Sequence, residues 1–280
     1  MSECRNSPFC QCGCDDYAPG TADPVTGSPE MFEGHGVMPS GDDFMTSDVI
    51  VELVKSSATD ADVLWAARVS TLGEVAQTDQ YDEDLSKRDR GLINFLMRDR
   101  HGTPFEHNSM TFFIQAPIFV FREFQRHRVG WSYNEESGRY KTLGPRFYAP
   151  SRERNLVQYG KPGAYQFAEG SDYQHRLVWH ELSVTYTQAW ESYQRMLTAG
   201  VAPEVARLSL PVGVLSSMYA TCNARSLMHF LSLRTKDERA AVPSFPQREI
   251  EMVAEKMEAE WAKLMPETHD AFNRNGRVAP

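Results

Sequence analysis

Between positions 126 and 140 the chain reads Arg126-His127-Arg128-Val129-Gly130-Trp131-Ser132-Tyr133-Asn134-Glu135-Glu136-Ser137-Gly138-Arg139-Tyr140. These fifteen residues hold three arginines, a histidine, two carboxylates and four side-chain hydroxyls. A guanidinium is a planar fork of donors that matches phosphate oxygens and stays charged at any biological pH. So dense a group of charges is too costly to bury without an anionic partner. Further arginines stand at Arg207 and at Arg225 and Arg234, beside turn residues or at helix ends. Two phosphorylated ligands, a dinucleotide and a mononucleotide, account for so many guanidiniums. No Gly-x-Gly-x-x-Gly occurs, so a dinucleotide is not held here in the Rossmann manner.

The Arg-His-Arg, spacer, Ser-x-Arg pattern resembles the signature of the flavin-dependent thymidylate synthases. Eight residues, Val129 to Glu136, separate Arg128 from Ser137 where that family usually has seven, which places an extra residue near Trp131. The resemblance runs from about Val51 to about Arg234. It includes Ala66-Ala67-Arg68-Val69-Ser70, Thr103-Pro104-Phe105-Glu106-His107, Ala116-Pro117-Ile118-Phe119-Val120, Glu204-Val205-Ala206-Arg207 and Asn223-Ala224-Arg225-Ser226-Leu227-Met228. It implies that FAD is held by His101, Thr103, Arg126, His127, Arg128, Glu135, Asn223, Arg225 and His229. It implies that dUMP contacts Glu123, Arg126, Glu135, Glu136, Ser137, Gly138, Arg139, Arg207 and Arg234. Family members often carry Gln where this chain has Glu123, and an ionised carboxylate cannot donate to a ligand oxygen. The implied reaction is reductive methylation of dUMP to dTMP, with methylene-tetrahydrofolate as one-carbon donor and NADPH reducing the flavin. Arg234 would stabilise charge developing on the uracil ring. Ser137 has a position that suggests a nucleophile, yet no general base adjoins it in sequence, which favours positioning of the substrate. A homotetramer with sites shared between subunits is implied as well.

The elements that must position these residues follow from periodicity. Val49 to Val54 is β-branched and apolar apart from Glu52, which predicts a first strand. Ala61 to Ser70 predicts a helix capped by Thr59 or Asp60, and Ser86 to Arg100 a second one. Met110 to Gln115 reads as a strand. Pro117 then suits the first position of a helix over Ile118 to Val129, with Arg126, His127 and Arg128 in its last turn. Ser132 to Arg139 reads as a loop. A long helix over Ser171 to Ala199 places Leu182, Tyr186, Ala189, Tyr193 and Met196 on one face, and Gly200 stops it. A short helix at Pro203 to Leu208, a strand near Val212 to Thr221 and a helix from Asn223 to Arg234 follow. The last helix, about Gln247 to Met265, turns Ile250, Val253, Met257, Trp261 and Leu264 inward. The fold class is α+β: one mixed domain over residues 48–280, with a central sheet flanked by helices, behind a disordered arm over residues 1–47.

Composition narrows the alternatives. At 280 residues and 41% hydrophobic content the chain can bury one large core, and no apolar run reaches the length of a membrane span. No secretory leader is evident, and a cytoplasmic location is the expectation. The net charge of −9 is concentrated ahead of Ser47, where eight acids face only Arg5. The remainder is close to neutral, which opposes a general nucleic-acid binder and suits a small anion. Cys4, Cys10, Cys12 and Cys14 share the arm in a spacing unlike the paired Cys-x-x-Cys of structural zinc sites, so no metal is expected. Cys222 reads as a core residue in a reducing compartment. Two rivals remain. Arg100-His101-Gly102-Thr103 mimics the start of a histidine phosphatase, although that motif should follow a strand. Arginines interleaved with Trp131, Tyr133 and Tyr140 could instead grip a single-stranded nucleic acid.

Overall fold

The computed structural model of the chain describes residues 44–74, 85–161 and 164–280. The expected arm over residues 1–47, with its four cysteines, falls almost wholly outside the described residues. Phe44 is buried and Met45–Thr46 forms a short strand, β1, so the described body reaches back ahead of Asp48. The next strand is β2 (Ile50–Ser56), and helix α1 (Asp60–Leu72) follows. Thr59 caps α1 in a reciprocal capping box with Asp62, and Ser86 does the same with Asp89 for α2 (Lys87–Arg98). Beyond a 3-10 turn at Thr103–Glu106 lie β3 (Met110–Pro117), α3 (Ile118–Phe124) and β4 (Trp131–Glu135). Then come β5 (Phe147–Tyr148), the hairpin β6 (Val157–Lys161) and β7 (Ala164–Ala168), and the long α4 (Asp172–Thr198). The chain continues through α5 (Pro203–Ala206), β8 (Leu215–Cys222), α6 (Ala224–Arg234), α7 (Arg248–Leu264) and α8 (Pro266–Arg274).

Four strands form an antiparallel sheet in the order β2-β3-β8-β4. Alternation along β3 sends Met110, Phe112, Ile114 and Ala116 into the core, where Met218, Ala220 and Cys222 of β8 join them. Helices α6 and α7 close that face with Leu227, Phe230, Leu231, Val253, Met257 and Trp261. The other face presents Val54, Phe113 and Tyr219 among polar residues such as Thr111, Gln115 and Ser217, and Tyr219 stays half exposed. A smaller cluster of Phe44, Phe147, Tyr186 and Val214 fastens α4 to β5, with the Tyr186 hydroxyl donating to the Tyr148 carbonyl at 2.9 Å.

The α+β architecture agrees with expectation, and four local expectations are corrected. Helix α3 stops at Phe124, so Arg126, His127 and Arg128 lie beyond its end instead of in its last turn. The Tyr133 hydroxyl sits 3.0 Å from the Phe124 carbonyl oxygen and 2.8 Å from that of His127, tying down the freed helix end. Of the loop expected over Ser132 to Arg139, Ser132 to Glu135 belong instead to the edge strand β4. Pro117 ends β3 and caps α3 from outside the helix. The chain also makes a further helix, α8, after Met265, because the buried Asp60 carboxylate accepts from the main-chain N–H groups of Glu267 and Thr268, both at 2.9 Å.

Candidate functional site

The strand β4 separates two groups of charged residues. Trp131 pairs with Cys222 at one end and Glu135 with Met218 at the other. Four steps of a strand place those ends about 13 Å apart.

The Trp131 end is assembled from the α3–β4 turn, the 3-10 turn and the start of α6. Asn223 caps α6 by accepting from the Ser226 N–H at 2.9 Å, and Asn108 accepts from the Ala224 N–H at 2.8 Å. Gly130 has φ +69°, and a Cβ there would lie 2.1 Å from the Ser226 hydroxyl. That hydroxyl donates to the Val129 carbonyl at 2.9 Å, which locks the turn after Arg128 onto α6. Only glycine serves at this crossing. Arg225 pairs with Glu106 and donates through Nε to the Pro280 main-chain oxygen at 2.6 Å. Gly102 lies directly against its guanidinium, where any side chain would collide. His101 stacks on Phe95 with ring centroids 5.6 Å apart, and Thr103 opens the 3-10 turn beside it. Arg126 and Arg128 are exposed and form no ion pair among the described residues.

Arg234, the last residue of α6, is braced twice. Its Nε donates to His127 Nε2 at 3.2 Å, and its Nη1 meets Glu123 Oε2 at 2.8 Å. Burial, followed by the positive charge of Arg234, lowers the His127 pKa to about 4. The ring is therefore neutral near pH 7, accepts through Nε2, and carries its proton on Nδ1. Phe230 supports it edge-on at 5.0 Å and stacks on Phe124 at 4.7 Å. Burial raises the Glu123 pKa, with the Glu249 charge adding to that and Arg234 and Arg126 opposing it. Its Oε1 is buried without a hydrogen-bond partner among the described residues. His229 is held below its ordinary pKa by burial and then by Arg225.

The Glu135 end is looser. Ser216 donates to Glu135 Oε1 at 3.1 Å, and burial raises the pKa of that carboxyl. Glu136 donates its main-chain N–H to Ser217 O at 2.8 Å and forms an ion pair with Lys141. The Ser137 hydroxyl accepts the Arg139 N–H at 3.3 Å, a local turn bond with no base beside it. Arg139 meets Glu204 at 3.1 Å with both side chains more than half exposed. Gly138 is buried against Arg207 and Leu143, and a Cβ would sit 3.2 Å from Arg207 Cδ. The Arg207 guanidinium is exposed and forms no ion pair among the described residues, although its charge opposes the rise in the Glu135 pKa.

The residues expected at one nucleotide thus fall into two groups. Glu123, Arg126 and Arg234 stand with the expected flavin residues, while Glu135, Glu136, Ser137, Gly138, Arg139 and Arg207 gather at the other end of β4. No hydrogen bond or ion pair joins the groups among the described residues. Sequence reasoning missed Asn108, Glu106, Gly102 and Gly130 as supports of the first group. The Thr-Pro-Phe-Glu turn and the glycine after Arg-His-Arg were the available signals. The rivals fare worse. Arg100-His101-Gly102-Thr103 follows a helix, α2, and not a strand. Trp131 and Tyr133 stack on each other at 5.7 Å and pack against the core, so they form no open platform for bases.

The chain is similar to known proteins over most of its length. The family described as thymidylate synthase complementing protein matches residues 52–267. A flavin-dependent thymidylate synthase of Streptomyces coelicolor is 70% identical over 236 residues, spanning 84% of this chain and 95% of that protein. One from Tropheryma whipplei is 58% identical over 240 residues, spanning 85% and 98%. Among solved structures, the UMP/dUMP methylase PolB from Streptomyces cacaoi bound with 5-Br dUMP superposes with a TM-score of 0.79 at 57% identity, covering 84% of this chain and 99% of that one.

Proposed function

The chain belongs to the flavin-dependent thymidylate synthase family, and from that premise we propose that it methylates dUMP reductively to dTMP. Methylene-tetrahydrofolate supplies the carbon and NADPH the reducing equivalents, with FAD as the bound carrier. The donor set fits a dinucleotide: Arg126 and Arg128 are exposed and form no ion pair among the described residues, and Arg225 lies at the start of α6. His101, Thr103, His127, Asn223 and His229 complete the proposed cofactor set at this end of β4, and Glu135, at the other end, reaches a flavin held with a neighbouring subunit. When bound, FAD supplies the hydride chemistry, and the protein sets its orientation.

The observation that carries the reading is the bracing of Arg234. Two of its nitrogens are fixed by neutral His127 and by Glu123, which leaves Nη2 to meet an oxygen of the uracil ring where negative charge develops. Ser137, Gly138, Arg139 and Arg207 hold the phosphate end of the nucleotide. Ser137 acts by position, since its hydroxyl is engaged in a local turn.

Separation of these groups supports a homotetramer in which the phosphate-holding end of one subunit meets the flavin end of another. Uncovered apolar residues support the same assembly: Val54 and Tyr219 on the open sheet face, and Leu177, Trp179 and Val184 along α4. No helix among the described residues is long and apolar enough to cross a membrane. A cytoplasmic site of action is part of the proposal, and the buried free thiol of Cys222 suits a reducing compartment. The test is an absorbance spectrum of the purified protein, followed by NADPH oxidation and dTMP formation with and without dUMP. A yellow protein that forms dTMP only with all three substrates is expected; a colourless one that forms none would refute the reading.

A further inference from the structure

A cavity of about 900 Å³ opens between the β6–β7 hairpin, the segment 236–247 and the start of α7. None of its walls belongs to either arginine group, and its chemistry is specific. Four aromatic rings border it; Tyr148 is buried, and the other three are substantially open: Phe245 is 63% exposed, Phe167 41% and Tyr165 40%. Three cations, Arg154, Lys236 and Arg248, stand among them. Arg154 lies over the Phe167 ring at 5.5 Å and is fixed by Glu249 at 2.9 Å. Arg248 is held by Glu251 and Glu255. The Lys236 ammonium has no acidic partner among the described residues, although its main-chain N–H donates to Glu251 at 3.1 Å.

Neither carboxylate of the lining forms an ion pair with the Lys236 ammonium. Glu251 is already engaged by Arg248 and by the Lys236 N–H, and Glu153 hydrogen-bonds Ser151. An unpaired ammonium beside exposed aromatic faces suits a flat ring with an anionic arm: the ring stacks while the arm meets the cation. The place matters too. Lys236 lies two residues beyond Arg234, and the Glu249 that anchors Arg154 also acts electrostatically on Glu123, the partner of Arg234. The cavity thus borders the segment that follows Arg234.

We propose that this cavity binds an aryl ligand carrying two or more anionic groups, as the anchoring part of a co-substrate. The inference rests on the reading that the reaction consumes a reduced folate and NADPH. Both have this chemistry, the folate as an aminobenzoyl ring joined to glutamyl carboxylates and NADPH as an adenosine with phosphates. The ring packs on Phe167, Tyr165 and Phe245, and Lys236 takes the anionic arm.

The full-length FAD-loaded protein tests this with two redox-inert fragments, p-aminobenzoyl-tetraglutamate and adenosine 2′,5′-bisphosphate, titrated by calorimetry. Lys236→Glu and Phe245→Ala both alter exposed side chains, so folding is preserved. At least one fragment is expected to bind the unmutated protein and to bind the Lys236→Glu variant about tenfold or more weakly, as for a reversed charge contact. Phe245→Ala should weaken it by a smaller factor. The fragment that responds identifies the source of the ligand, and dUMP affinity should stay unchanged. Failure of both fragments to bind, or equal binding to all three proteins, would overturn the proposal. Forming dTMP with the unmutated protein in the same experiments tests the functional reading separately.

Discussion

The two ends of β4 carry the same residue types and hold them differently. At the Trp131 end, Arg234 is fixed by His127 and Glu123, and Arg225 by Glu106 and the Pro280 oxygen. At the Glu135 end, Arg139 has one exposed partner and Arg207 forms no ion pair among the described residues. A guanidinium whose direction is already set needs no reorganisation when charge appears in front of it, the condition for stabilising a transition state. A loose, exposed guanidinium acts differently, drawing in and neutralising a phosphate whose position is set elsewhere. On the proposed function, the contrast gives chemistry to one end and capture to the other.

Substitutions can break or sharpen that contrast. The largest effect is expected from Arg225→Ala, which removes a braced donor from the proposed flavin site; the purified protein should lose its flavin absorbance and all dTMP formation. Arg234→Lys keeps the charge but loses the planar fork that meets His127 and Glu123 together. FAD content and flavin reduction by NADPH should persist while dTMP formation falls on the order of ten- to a thousand-fold. Arg207→Ala should leave the flavin in place and weaken dUMP binding about tenfold, with a reduced dependence on salt. Ser137→Ala should cost only a few-fold, roughly the worth of one positioning hydrogen bond. Inactivity with normal dUMP affinity would instead make Ser137 a nucleophile.

The smallest expected effect is a displaced pH profile. As pH falls through about 4, His127 takes up a proton, can no longer accept from Arg234, and repels it. The Glu123 carboxyl, raised by burial, protonates at a higher pH than an ordinary carboxylate. Activity should therefore decline on acidification in two stages, with Glu123 contributing the upper one. Glu123→Gln, which retains an oxygen for Arg234, should keep neutral-pH activity and remove that upper stage. A rate-against-pH curve identical to that of the unmutated protein would sever Glu123 from the braced end.

How much was legible in the sequence tracks how local each signal is. Thr59 and Ser86 announce α1 and α2 because the cap and its reciprocal partner lie three residues apart. The alternation of Met110 to Ala116 marks β3 because one face is buried throughout. Strand β4 looked like a loop because an edge strand with an open face can carry Ser132, Asn134 and Glu135. The early end of α3 depends on the Tyr133 hydroxyl arriving from the next strand, and α8 depends on Asp60, which is far away in the chain. In the site, residue types were readable but their division was not. The pairing of Glu123 with Arg234 joins α3 to α6, and the spacing of the Arg-His-Arg motif gives no sign that its flanks lie at opposite ends of a strand.

The most direct test of the central claim is the stoichiometry of a single preparation of the FAD-loaded protein given dUMP, methylene-tetrahydrofolate and NADPH. Reductive methylation with the flavin as hydride carrier predicts one NADPH oxidised for each dTMP formed, tetrahydrofolate as the folate product, and no dTMP when either NADPH or the flavin is withheld. Formation of dTMP without NADPH, with dihydrofolate as the product, would contradict the account.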